Sequence, residues 1–99
     1  MGDFSGLSNY VAKGKVKIAS NDDIGTEAQF TDFYIDSVED PRAYLTIDND
    51  LTSRLPIGKL PQSEGTFNIM ISADVDVSKY NAVLIYCRKA KENIGLALI

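Results

Sequence analysis

The stretch Tyr80-Asn81-Ala82-Val83-Leu84-Ile85-Tyr86-Cys87-Arg88 decides the fold. From Ala82 to Cys87 every residue is apolar, so alternate positions leave no polar face for water. A run this short, rich in β-branched and aromatic residues, fits a strand covered on both sides better than a helix. It carries the only cysteine of the chain. Lys89-Ala90-Lys91-Glu92-Asn93 follows with turn chemistry, and a second apolar segment runs from Ile94 to Ile99. The two segments read as a hairpin in the middle of an all-β core.

Working outward, Val75, Val77 and Tyr80 are expected to fold back over one end of that core. Thr66 to Ser72 alternates, with Phe67, Ile69 and Ile71 inward and Asn68 and Met70 outward. Pro61 to Gly65 is a turn. Arg54 to Leu60 is interrupted by Pro56 and Gly58, and proline cannot donate to a ladder, so this segment belongs at an edge or in a loop. Arg42 to Ile47 places Ala43, Leu45 and Ile47 on one face and Tyr44 on the other, and Asp48-Asn49-Asp50 closes it. In the strand expected over Ala28 to Ser37, Phe30 and Phe33 lie three apart. A bulge near Thr31-Asp32 is needed to bring both to one face. Lys13 to Ser20 turns Val16 and Ile18 one way and Lys15 and Lys17 the other, before a turn at Asn21 to Gly25. Phe4 to Tyr10, with Gly6, Ser8 and Asn9, reads as an edge strand leading into a turn. About seven or eight short strands with turn signals every ~10 residues predict an antiparallel two-sheet sandwich, Greek-key-like, as a single domain over residues 1–99.

The composition narrows the function. The chain has 99 residues, 44% of them apolar and 24% charged. One domain of this size buries roughly 65% of its unfolded surface, enough for a core without metal or disulfide. Net charge is −4, from 14 acidic and 10 basic residues. Nucleic-acid binding needs clustered Lys and Arg, and the densest group here, Arg88, Lys89 and Lys91, solvates a turn. No run approaches the ~18 apolar residues of a membrane span. With no histidine in the chain, Ser–His and Cys–His catalysis are excluded.

Cys87 is the one candidate for chemistry: either a reactive thiolate or a buried small hydrophobe. Arg88 is adjacent but projects to the opposite face of the strand. One thiolate without histidine does not make a zinc or copper site, so no metal is expected there. Haem ligation would need Cys87, Met70 or a tyrosine at an open cavity, and Met70 points outward. The acidic pairs Asp22-Asp23, Glu39-Asp40, Asp48-Asn49-Asp50 and Asp74-Val75-Asp76 form a weak calcium site only if their loops converge. Asp32 and Asp36 read as solvent carboxylates. Tyr34, Tyr44 and Tyr86 fall outside the inner faces of their sheets, and as neighbours they would make a patch for a partner or a glycan.

Several segments in this order resemble a known family: Gly2-Asp3-Phe4-Ser5-Gly6, Gly14-Lys15-Val16, Phe33, Pro41-Arg42-Ala43-Tyr44-Leu45, Ile57-Gly58-Lys59-Leu60, Glu64-Gly65-Thr66-Phe67-Asn68-Ile69, Tyr80 to Cys87, and Ala97. They are similar to the DM-thirteen domain, an electron-transfer family of secreted proteins and bacterial lipoproteins. The resemblance implies a β-sandwich in an extracytoplasmic setting (secreted, periplasmic or lipoprotein), compatible with a lipid anchor upstream; the chain itself shows no signal-peptide pattern. It also implies a redox role centred on the cysteine of a Trp-Cys pair. Here the pair stands as Tyr86-Cys87, which makes Cys87 the redox candidate and Tyr86 the candidate to flank a cofactor, whose identity is not specified. The histidine common in the family's first turn is replaced by Asn9-Tyr10. The implied partner is another redox protein or a cell-surface protein; the other functional class is a non-catalytic binding or adhesion module.

Overall fold

The computed structural model describes the backbone of residues 2–21, 25–47 and 50–99, and the side chains of these residues except 21 and 50–53. Eight strands follow the chain: β1 (Gly2–Gly6), β2 (Ala12–Asn21), β3 (Gly25–Ile35), β4 (Pro41–Ile47), β5 (Asp50–Lys59), β6 (Glu64–Ile71), β7 (Ala82–Cys87) and β8 (Glu92–Leu98). A 3-10 turn, Val77–Lys79, precedes β7. All ladders are antiparallel, in the order β5-β4-β7-β8-β1-β2-β3-β6.

β1 joins two layers. Gly2 and Asp3 pair with β2, whereas Phe4, Ser5 and Gly6 pair with β8. One layer is therefore β1-β2-β3-β6 and the other β5-β4-β7-β8-β1. Both contribute to one core: Val16, Phe30, Phe33 and Ile35 from the first, Ala43, Leu45, Val83, Ile85 and Ala97 from the second. The sheet ends β5 and β6 lie against each other, Gly58 facing Ile69, so the arrangement is nearly closed. The expected edge strand at Phe4 is corrected. β1 sits inside the sheet because its neighbours β2 and β8 both need a partner, and Gly2 and Phe4 are buried.

The hairpin read from the sequence is present, with β7 held between β4 and β8. Val83, Ile85 and Cys87 enter the core. Ala82 and Leu84 point the other way yet are also fully buried. Leu84 stands between Tyr44 of β4 and Leu96 of β8, whose side chains flank it on the outer face.

The Phe30–Phe33 spacing is resolved by the bulge it required. The β3–β6 register shifts between Phe30 and Phe33, Asp32 adopts φ 50°, and both rings are buried. Across the ladder, Gly14 at φ +104° answers the bulge: a Cβ there would come within 2.6 Å of the Asp32 carbonyl oxygen. The bulge lets Phe4, Phe30, Phe33 and Phe67 form one aromatic cluster, with centroids 4.9–5.9 Å apart in stacked and edge-to-face pairs. Each such pair contributes about 0.5–1.5 kcal/mol beyond its buried area.

Other expectations divide. Phe67, Ile69 and Ile71 face inward and Met70 is exposed. Val75, Val77 and Tyr80 pack against the core. β5 lies at a sheet end, as Pro56 and Gly58 suggest, but it is ten residues long. Ile47 departs from its expected inward place and is 42% exposed, because β4 ends there and the core does not reach past Leu45. The turn at Asn21 to Gly25 and the Asp48-Asn49 corner fall outside the described residues, or partly so.

Candidate functional site

Cys87 closes β7 at the end of the core where β4, β7 and β8 begin or end. It pairs with Pro41 on one side and Glu92 on the other. Its residue is 2% exposed. Two backbone groups fix the sulfur: Sγ donates to the Glu39 carbonyl at 2.9 Å, and the Ala90 N–H donates to Sγ at 3.4 Å. The turn of residues 88–91 supplies the second bond, with Lys91 at φ 57°.

Although recessed, Cys87 contributes to the lining of an open surface cavity of about 340 Å³, together with Tyr10, Val38, Glu39, Lys89 and Ala90. The cavity has an apolar wall in Val38, Ala90 and the Tyr10 ring, which also packs against the core. Its rim is charged: Lys89 Nζ lies 2.8 Å from a Glu39 carboxylate oxygen, and both side chains are largely exposed. Such an exposed pair contributes at most about 1 kcal/mol and yields readily to a competing ligand. Arg88 and Lys91 are exposed at the same turn.

Tyr10 is the residue that sequence reasoning did not single out. It follows a tight turn in which Ser8 and Asn9 have φ 54° and 68° and the Tyr10 N–H donates to the Leu7 carbonyl. The Glu92 carboxylate beside its hydroxyl holds it protonated to higher pH than a free tyrosine. Burial adds to this, as do the charges of Glu92, Cys87 and Asp36. The one available signal was positional: Asn9-Tyr10 occupies the place of the histidine that the resemblance implies, and the fold brings that place to the cysteine. Val38, Glu39 and Glu92 carried no such mark, because a turn of ordinary polar residues gives no hint of what it covers.

Tyr86 lies on the other face of β7. Its ring meets Tyr44 edge-to-face at 5.8 Å, and the Arg54 guanidinium sits 4.2 Å from the Tyr86 centroid and 5.4 Å from that of Tyr44. The fold thus separates Tyr86 from the Cys87 cavity and joins it to Tyr44. Tyr34 belongs to the other layer, on β3, where its hydroxyl reaches the Asp36 carboxylate at 3.5 Å. Thr46, beside Tyr44 on β4, is fully buried, and its hydroxyl has no partner among the described residues.

The acidic side chains that are described serve their own turns. Asp40 accepts from Arg42 at 2.9 Å, Asp76 caps the 3-10 turn by accepting from the Ser78 N–H, and Asp74 accepts from Ser72. The Asp36 carboxylate accepts from the Val11 N–H at 2.9 Å, and Asp32 is exposed at the bulge. Among the described residues no three His, Cys, Asp or Glu side chains converge as a metal site. Asp22, Asp23 and Asp48 lie outside the described residues. No helix is long and apolar enough to cross a membrane.

A family model described as Electron transfer DM13 matches residues 3–99, nearly the whole chain. No curated protein matches, and no solved structure matches.

Proposed function

Because the chain belongs to the electron transfer DM13 family, we propose that it takes part in redox exchange through the thiol of Cys87. The observation that carries this reading is the cavity. The single cysteine is shielded from bulk solvent but borders a space of about 340 Å³ rather than solid core. A purely structural cysteine needs no such space. The Ala90 N–H at 3.4 Å supports negative charge on the sulfur when the proton leaves, whereas the Glu39 carbonyl holds that proton until then.

A buried thiol beneath a charged rim suits a setting where free exposed thiols oxidise, and we place the domain outside the cytoplasm. The test is thiol labelling of the native protein against pH, compared with the denatured chain and with Cys87→Ser. Labelling of the native protein that is lost in Cys87→Ser supports the reading. Labelling that requires denaturation overturns it.

The Tyr44–Tyr86–Arg54 cluster favours a second reading, a binding module that uses the outer face of the β4–β7 ladder. Aromatic rings with an overlying arginine suit stacking contacts at interfaces. Under that reading, Tyr86→Ala or Arg54→Ala abolishes partner capture and leaves thiol labelling unchanged.

A further inference from the structure

The outer face of the β4–β7 ladder gathers charge as well as rings. Arg42 stands opposite Tyr86 of β7 on one side and Lys59 of β5 on the other, so the three share the face that Ala43 and Ile85 turn away from. Tyr44 follows two residues along β4 on that face, opposite the exposed Pro56. Arg54 reaches in from β5, its guanidinium 4.2 Å from the Tyr86 centroid and 5.4 Å from that of Tyr44. Among the described residues it has no carboxylate at ion-pair distance. Arg88, exposed just after β7, donates its N–H to the Asp40 carbonyl at 3.3 Å. The Asp40 carboxylate lies among these cations. Its bond from Arg42, with the charges of Arg42, Lys59 and Arg88, holds it below the usual carboxylate range. Arg42, Arg54, Lys59 and Arg88 together outweigh it, so this face is positive in a chain of net charge −4.

We propose that this face docks an acidic polypeptide segment of a partner protein. The inference rests on the reading of the outer face as a binding module and names the chemistry of its partner. Charge complementarity gives the sign. The two rings hold the Arg54 guanidinium by cation–π attraction, which leaves its N–H donors to bind a carboxylate side by side. Tyr44, Tyr86 and Pro56 supply apolar surface between the cations, and a polypeptide covers it with the side chains that flank its carboxylates. Tyrosine and arginine are enriched at such interfaces. A single small anion reaches only part of the set, because the cations come from β4, β5 and the residue after β7. An anionic membrane surface or a nucleic acid meets the whole molecule, whose net charge opposes it.

The test follows the backbone amide resonances of the intact chain during titration with four probes: poly-glutamate, a random copolymer of glutamate and tyrosine, heparin, and phosphatidylserine vesicles. The two polypeptides should shift the amides of Arg42, Tyr44, Arg54 and Tyr86, and the shifts should fade at high salt. The copolymer should bind about three-fold tighter than poly-glutamate, since its rings add aromatic contacts. Arg42→Gln and Arg54→Gln should each weaken binding about three-fold, the size of one exposed charge pair. Tyr86→Ala should weaken the copolymer although the charge is unchanged. Lys15→Gln, on the outer face of the other layer, should change nothing, and thermal melts check that every variant is folded. Heparin or vesicles binding this face as tightly as the copolymer overturns the inference and leaves the binding-module reading standing. Shifts confined to other surfaces, or none with any probe, overturn the inference, whereas the binding-module reading then stands or falls on partner capture.

Discussion

Cys87 and Tyr86 are neighbours in the chain and occupy opposite worlds. Cys87 faces the other layer, at the end of a core that includes Val83 and Ile85, with a cavity beside it. Tyr86 faces outward into an aromatic–cation stack with Tyr44 and Arg54. The two-residue period of a strand gives them different chemistry: one side shields a nucleophile, and the other displays flat π-faces beside a cation. A Tyr-Cys pair in sequence is therefore not a pair in space.

The sharpest way to break this contrast is to truncate each face. Ile85→Ala should cost about 2–5 kcal/mol, as deletions in closed cores do. Leu84→Ala should cost nearly as much, although Leu84 is on the outer face, because it is fully buried. Chemical denaturation of the two variants checks this, and a loss under 1 kcal/mol for Leu84→Ala would show that face to be open.

Next in size is the bulge that aligns the phenylalanines. Gly14→Ala places a Cβ against the Asp32 carbonyl and demands φ +104° of an alanine. It should lose more than about 1 kcal/mol, read as a lower denaturation midpoint with an unchanged slope. An unaltered midpoint would show that the β2–β3 register can slip without cost.

The outer face should respond weakly. Arg54→Ala removes the cation from both rings and should cost about 0.5–1 kcal/mol. Thr46→Val replaces an unpartnered buried hydroxyl with a methyl group and should be neutral or stabilising, by up to about 1 kcal/mol. A clear loss in Thr46→Val would reveal a partner for that hydroxyl.

The smallest effects are in pH, and they have opposite signs at different places. Tyr10 has a raised folded-state pKa, so its contribution is complete below its ordinary value of 10.0 and is lost as pH rises through the folded value. Tyr10→Phe should remove that alkaline loss at the cavity end. Asp40 is held below the ordinary 3.8 by its hydrogen bond from Arg42. Its contribution is complete above 3.8 and fades as pH falls through the depressed value, and Asp40→Asn should flatten that acid limb. Thermal melts across pH separate the two.

The legible part of the fold was the part written in short-range pattern. The double-sided burial of residues 82–87, the alternation of β6 and the Phe30–Phe33 bulge follow from spacing, because a strand's faces alternate strictly and a mismatch must be absorbed locally. Ile47 shows the limit: alternation says which side a residue faces, not whether the core extends that far. β1 shows another, since a short glycine-bearing segment reads as an edge until both neighbours are known.

What the sequence determined alone is an all-β domain with one thiol, no histidine and a central apolar hairpin. Only the tertiary structure decided that Tyr10, Val38, Glu39 and Glu92 gather at that thiol and that Tyr86 does not. The reason is separation along the chain: Tyr10 and Cys87 meet because β8 pairs with both β1 and β7. Such long-range pairing is fixed by which layers close on a common core, and no local period records it.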